Sequence, residues 1–367
     1  MSVPRVTEPP QDGGSYIVHR FNGEVLTMPG SKGAFRMYAT QKQTNNGMAV
    51  FGWDGPANEQ GYHYHKITHD AFLITEGHLK IYCGEDCRIL SPGDFASAPP
   101  QLAIHNPMPL GPFVRALPLV SPADWVDIFR DTKDPFTGVM FPEYDTQNQD
   151  AEMERRLPKN YEEPYDTYGV DEPSVAEVKE WSEKDTILPD GPEPYFLRYK
   201  SGPKWVLGGV TSQPFITTKQ AAEGRFAIST IETSSAYKRT IFSEFLQFPK
   251  IHHALVLLDG AMEVTLKGGT PTEIHAGEVL FIDANTAFRL SFTQPYIKFM
   301  CYVDGDGLEA LIHEAGDSTK AVALPDSPRH IDEAKPGIQA QSQNLNGLWA
   351  LGIDQVSSSL KYLSLTI

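Results

Sequence analysis

Gly61-Tyr62-His63-Tyr64-His65-Lys66-Ile67-Thr68-His69-Asp70-Ala71-Phe72-Leu73-Ile74-Thr75-Glu76-Gly77 is the stretch that decides the reading of this chain. His63 and His65 are two apart, so on a β-strand both imidazoles point to one face. Asp70 follows His65 by an odd spacing that a straight strand cannot use to reach that face. A turn over Lys66 to His69 into an antiparallel neighbour resolves the conflict, and in the new strand Asp70, Phe72 and Ile74 share a face. Gly77 is expected to begin the next reversal. His105 follows after Gly93-Asp94 and the Pro99-Pro100 bend. Alone, a His-x-His pair is often a surface accident or two satisfied polar groups. With an acid at a set distance and a distal histidine, it reads as a mononuclear metal site made by His63, His65, Asp70 and His105. Neutral imidazole suits Fe, Cu, Ni, Mn or Zn, and one acid tempers the charge.

These residues resemble the cupin superfamily, whose first motif runs Gly, His-x-His, acid, Gly and whose second runs Gly, Pro, His. Gly61, His63, His65, Asp70 and Gly77 match the first, with aspartate where the family usually has glutamate. Gly93, Pro99 or Pro100, His105 and Asn106 match the second loosely, and Gln101 or Leu102 stands where glycine is common.

The 367 residues are long for one hydrophobic core and comfortable for two domains. A hydrophobic content of 40% with 21% charged residues describes a globular protein, and 29 prolines and 30 glycines favour short strands joined by turns. The net charge of −16 argues against nucleic acid or an anionic membrane as partner. Met1 to Gly14 holds no apolar run of signal-peptide length, no stretch has the length of a membrane span, and three cysteines make no disulfide framework. Cys83 and Cys87 could pair only if the geometry allows, and Cys301 reads as a small buried hydrophobe. A cytoplasmic location is therefore expected.

Strands are expected at Tyr16–Val18, Phe35–Ala39, Met48–Phe51, Phe72–Tyr82, Cys87–Leu90, Phe95–Ala98 and Phe113–Val120, then a helical turn over Pro122–Phe129. Residues 1–130 form an N-terminal, metal-bearing barrel in this reading. Residues 131–192 change composition: Glu152 to Tyr168 is crowded with charge, tyrosine and proline, and Ser174 to Lys184 has helical periodicity. Such a segment is a linker, or a lid over the first barrel's mouth. An internal repeat follows, His69–Gly77 echoing His252–Gly260 at an offset of 183 and Gly93-Asp94-Phe95 echoing Gly277-Glu278-Val279 at 184. The fold class is therefore all-β, two tandem jelly-roll barrels, with residues 193–367 as the second. The offset carries His63 to Leu246, His65 to Phe248, Asp70 to His253 and His105 to Phe288 or Arg289. That set cannot hold a divalent ion, so the second barrel reads as degenerate. The two barrels are expected to form a pseudo-twofold pair, with their first strands and the linker wrapping the join.

Further segments are similar to fungal quercetin 2,3-dioxygenases: Glu193-Pro194-Tyr195-Phe196, Gly202-Pro203-Lys204-Trp205, Gln213-Pro214-Phe215, Phe226–Ile231, Phe35–Thr40 and Ser91–Ala98. The resemblance implies a bicupin with one divalent metal (Fe, Cu, Mn or Ni) in the first barrel, held at His63, His65 and His105. It also implies dioxygen as cosubstrate and cleavage of a flavonol, with the carboxylate at Asp70 taking the substrate's proton. Such a site leaves positions open for substrate and oxygen, and a neighbouring carboxylate can serve as general base. Phe35, Tyr38, Met48, Phe72 and Ile74 are candidate walls for a small aromatic substrate. Aspartate, one methylene shorter than glutamate, opens two alternatives on the same fold: desaturation of a flavanone or oxidation of an aromatic polyketide. A non-catalytic binding bicupin is a third, and the pattern leaves room for a homodimer. An oxalate decarboxylase-like protein would carry a metal set in each barrel.

Overall fold

The computed structural model describes residues 2–339, apart from 28, 31, 58–60, 102, 135, 143–146, 172–176, 239, 332–333 and 336–337. Leu102, the start of the Ser174–Lys184 segment and the part of 193–367 beyond residue 339 lie outside the described residues. Two barrels are built on two large sheets and a small one. The first sheet carries the strands Glu24–Leu26, Ala34–Ala39, Ala49–Gly55, His63–Tyr64, His69–Cys83, Asp86–Leu90, Phe95–Ala98, His105–Ala116 and Leu119–Ser121. The second carries Trp205–Leu207, Val210–Ile216, Ala227–Thr233, His253–Asp259, Glu278–Ile282 and Ile297–Val303. A three-stranded sheet, Ala261–Leu266 between Thr272–His275 and Phe288–Phe292, completes it.

Three strands cross the boundaries read from the sequence, the first being Arg5–Val6, which pairs with Tyr16–His19. Tyr16–His19 falls in the span 1–130 but pairs with Glu278–Ile282 of the second barrel. Tyr195–Leu197 falls in 193–367 but pairs with Phe95–Ala98 of the first. Strand propensity records that a segment is extended and half-buried, not which edge it joins. Between the barrels runs a shared core in which Tyr16, Tyr38, Met48, Phe95, Tyr195, Phe215, Phe226, Phe281 and Tyr302 pack together. Their hydroxyls find carbonyls across it: Tyr195 Oη donates to Phe215 at 2.6 Å and Tyr302 Oη to Leu117 at 3.0 Å. Buried phenols need such partners, because an unpaired hydroxyl in an apolar core costs free energy.

Strand parity sorts each barrel's residues between this shared core and its own interior. Phe35 and Met37, with Ala49, Phe51 and Trp53, face the interior of the first barrel. Tyr38, with Met48 and Val50, is on the opposite face and packs toward the second barrel.

The long strand His69–Cys83 runs straight through Gly77, which bends the strand and does not begin a reversal. Gly77 has φ +73, and a Cβ there would lie 2.2 Å from the Phe113 carbonyl oxygen. Its repeat partner Gly260 has φ +81 and the Tyr296 carbonyl at 2.4 Å, so both barrels need glycine at this bend for the same reason.

In the linker, Gln149–Arg156 is an α-helix. The described part of Ser174–Lys184 does not form the helix its periodicity suggests. It lies along Asp86–Leu90, with Lys179 N–H donating to the Cys87 carbonyl at 2.9 Å and the Lys179 and Lys184 ammoniums on Asp86. A short 3-10 turn, Glu183–Thr186, follows. Partners on the barrel replace the intrahelical ones. All three cysteines are free and buried.

Candidate metal centre

His63 and Tyr64 form a short strand whose neighbour is not the strand that follows the turn. His105–Ala116 lies between them, so His105 sits opposite His63 on one side and Cys83 on the other. This arrangement, not a direct hairpin, brings the distal histidine to the His-x-His pair. His63, His65, Asp70 and His105 converge, each offering one ligand atom within 4.8 Å of the others, and they are the one such group among the described residues. His65, Asp70 and His105 are buried, and His63 is half-buried at the edge of a cavity. His69, next to Asp70 in the chain, points the other way. Its Nε2 meets Ser97 Oγ at 2.8 Å and its Nδ1 accepts from the Ala222 N–H at 3.1 Å, joining the two barrels.

The outer nitrogens settle the tautomers. Nδ1 of His63 contacts the Gly61 carbonyl at 2.9 Å, Nδ1 of His105 the Ala103 carbonyl at 3.1 Å, and Nδ1 of His65 the Asp166 carbonyl. A carbonyl can only accept, so each Nδ1 carries the proton and each Nε2 presents a lone pair inward. Asp70 Oδ2 lies 3.4 Å from His65 Nε2 and 3.2 Å from His105 Nε2. His65 Nε2 and Asp70 Oδ1 are buried with no hydrogen-bond partner. Lone pairs facing a carboxylate in a buried site repel unless a cation or an added proton lies between them. A three-imidazole, one-carboxylate donor set with buried orphan atoms fits a divalent transition metal.

Burial and neighbouring charge act together at His63 and oppose each other at His65 and Asp70. Burial, and then the neighbouring imidazoles of His105 and His65, hold His63 well below the usual histidine range. Burial works against a charge on His65, but the Asp70 carboxylate and the Asp166 carbonyl and carboxylate together raise that pKa. Burial would raise Asp70, yet His65 and His105 hold its carboxyl below the ordinary carboxylate range. Asp70 is therefore an anion at neutral pH.

His63 and Asp70 of this group line a cavity of about 800 Å³, whose walls also include Gly61, Phe72, Phe35, Phe51, Trp53, Trp125, Phe129, Leu157 and Tyr161. Phe35 stacks on Phe129 at 4.2 Å between centroids and on Trp53 at 5.9 Å. Trp125 stands edge-on to His65 at 5.4 Å. Of the expected wall residues, Phe35 and Phe72 line this space. Tyr38 and Met48 do not, because strand parity turns them into the inter-barrel core. Ile74 shares a face with Asp70 and Phe72 but lies deeper, fully buried in the barrel's own core.

The matches to known proteins agree with this frame. The chain is 21% identical over 321 residues to quercetin 2,3-dioxygenase of Aspergillus japonicus, covering 79% of this chain and 89% of that protein. The quercetin 2,3-dioxygenase of Bacillus subtilis strain 168 matches at 26% over 138 residues, 37% of this chain and 40% of that one. Among solved structures, the E. coli protein Ylba superimposes with a TM-score of 0.51 at 9% identity, covering 81% of this chain and 93% of its own. No family model matches. The chain has the bicupin fold and resembles quercetin 2,3-dioxygenase. Its sequence relatives are enzymes acting on small molecules, and no helix among its described residues is long and apolar enough to cross a membrane.

Several of this bicupin's site residues escaped the sequence reading. Phe51 and Trp53 have the same parity as Ala49 in their strand, a signal available once Phe35 is placed inward. Trp125 and Phe129 are four apart in the helical turn after the first barrel, one face of that turn. Leu157, Tyr161 and Asp166 come from the linker, where no local pattern points to the site.

Proposed function

We propose that this protein is a metal-dependent bicupin oxygenase of the quercetin 2,3-dioxygenase type, using dioxygen on a flavonoid or related aromatic polyphenol. The observation that carries the reading is the convergent His63, His65, Asp70 and His105 group, of which His63 and Asp70 line an aromatic-walled cavity of about 800 Å³. His63, His65 and His105, with Asp70 Oδ2 beside them, would hold one divalent metal (Fe, Cu, Mn or Ni). When bound, such an ion acidifies an enolic hydroxyl and makes dioxygen reactive toward it.

The chain's own residues do the rest. Phe35, Trp53 and Phe129, stacked on one another, form an aromatic wall against which a flat substrate can lie. Phe72 and Leu157 keep water out, which strengthens every charge interaction inside. Asp70 is ionised and its Oδ1 is free, so it can take a proton from a substrate hydroxyl. Aspartate is short, but its strand begins immediately after the turn below His65, and its carboxylate still reaches both imidazoles.

The test is oxygen uptake by protein loaded separately with Fe(II), Cu(II), Mn(II) or Ni(II), across flavonols, flavones and flavanones. Ring cleavage puts both oxygen atoms into the product, whereas desaturation of a flavanone removes two hydrogens, so product mass separates the two chemistries. Loaded protein that binds flavonoids without consuming oxygen would make it a binding protein instead. If Asp70 serves as the base, Asp70→Asn should leave metal content near wild type and lower turnover on the order of a hundredfold, the range general-base catalysis supplies; if it ligates the ion, metal content should fall together with turnover.

A further inference from the structure

We propose that Asp166, in the segment between the barrels, is a positioning residue for the metal centre, so that metal binding and docking of segment 161–170 reinforce each other. This rests on the metal reading above. Asp166 acts through both its backbone and its side chain. Its carbonyl accepts the His65 Nδ1–H, fixing the tautomer and the rotation of a ring that is otherwise buried without a polar partner on its outer edge. Its carboxylate accepts three successive backbone N–H groups of the turn after His65: Lys66 and Ile67 at 2.9 Å and Thr68 at 2.7 Å. That turn joins His65 to Asp70, so one residue about a hundred positions away holds both the ring and the spacing of the ligand pair.

The neighbouring residues fasten the same strip of chain. Tyr168–Gly169 adds a strand to the free edge of His63–Tyr64, with Gly169 opposite His63. Val170 N–H donates to the Tyr62 carbonyl at 2.9 Å. Thr167 Oγ1 accepts from Trp125 Nε1 at 3.0 Å, and the Trp125 ring abuts His65. The ligand strand is thus framed by the linker along its edge. Asp166 has φ +47, a left-handed conformation that Asp, Asn and Gly adopt more readily than other residues. A carbonyl that accepts from the outer N–H of a ligating histidine raises ligand basicity and fixes its aim. By linkage, whatever factor the docked segment adds to metal affinity, metal must add to docking.

The experiment titrates metal-free, full-length protein with Co(II), reading affinity and the visible d–d bands, and follows amide hydrogen exchange with and without the ion. Asp166→Gly removes the carboxylate without backbone strain, and Asp166→Asn keeps one acceptor oxygen. The glycine variant should bind Co(II) roughly 10- to 100-fold more weakly with shifted bands, and the asparagine variant should fall between it and wild type. In wild type, Co(II) should slow exchange of amides 66–68 and 168–170. Wild-type affinity and spectrum in Asp166→Gly would overturn the inference while leaving the metal reading intact. Wild-type protein that binds no Co(II) would instead remove the metal reading itself. Should the glycine variant fail to fold, the wild-type exchange decides: amides in both segments unmoved by metal would overturn the coupling.

Discussion

The two barrels place the same backbone positions at their centres and fill them with opposite chemistry. In the first, His105 faces His63 across the ladder; in the second, Phe288 faces Leu246 at the corresponding bridge. Phe248 takes the place of His65, and His253 takes the place of Asp70. The ring of His253 packs against Phe248 at 4.7 Å and Phe288 at 5.8 Å. Burial pushes it down to about 3, and its Nε2 accepts the Leu308 N–H at 3.2 Å, so it is a neutral core residue. Apolar side chains close the second barrel, with the helix Leu308–Ala315 packed on it, while the first remains open to its cavity. The glycine bends at Gly77 and Gly260 show that the frames are alike. The frame therefore sets where a site can be, and four side chains decide whether there is one.

That contrast can be broken by exchanging which barrel is damaged. His105→Ala should cost metal affinity more than the roughly 10–100-fold that loss of an outer partner costs, because it removes a ligand outright. The equivalent change in the other barrel, Phe288→Ala, should leave metal affinity alone and cost about 3–5 kcal/mol of stability by opening a cavity. Metal titration and denaturant unfolding of the two variants measure both quantities. If Phe288→Ala released metal, or His105→Ala left binding unchanged, the division of labour would be wrong.

A smaller effect sharpens the comparison through Glu309, a buried acid in the second barrel. Burial pushes its carboxyl up to about 8, and Oε2 has no hydrogen-bond partner. The folded protein keeps this proton where the unfolded chain has lost it. Stability should therefore fall as pH rises from about 4.5 to about 8, and be level for this group outside that window. Glu309→Gln removes the titration and should be more stable than wild type at pH 8, by a few kcal/mol on the linkage scale of about 1.4 kcal/mol per pH unit. Equal pH dependence of the two proteins in chemical unfolding would show that Glu309 is ionised in the fold.

The convergence of His63, His65 and Asp70 was legible because their spacing is local, and His105 joined them as a distal histidine after a second glycine-proline bend. A two-residue spacing fixes a face, an acid beyond a turn fixes a second strand, and a repeat at a constant offset exposes what the second barrel lacks. The wall residues were half legible. Phe35 and Phe72 share parity with inward neighbours, but Tyr38 and Met48 carry the opposite parity. Their aromatic and apolar character suits the inter-barrel core equally well, so residue type alone could not separate the two faces. The exchange of Tyr16–His19 and Tyr195–Leu197 between barrels was not legible in detail, since an extended segment does not announce its partner. Nor was Asp166, whose role depends on a carbonyl and a left-handed backbone brought together only by the fold.

Metal content per chain tests the central contrast most directly. Protein purified or reconstituted with a divalent transition metal should carry close to one tightly held ion per chain by elemental analysis, and His63→Ala should lose it. A content near two per chain that survives His63→Ala would contradict the account, because the second barrel would then be a metal site as well.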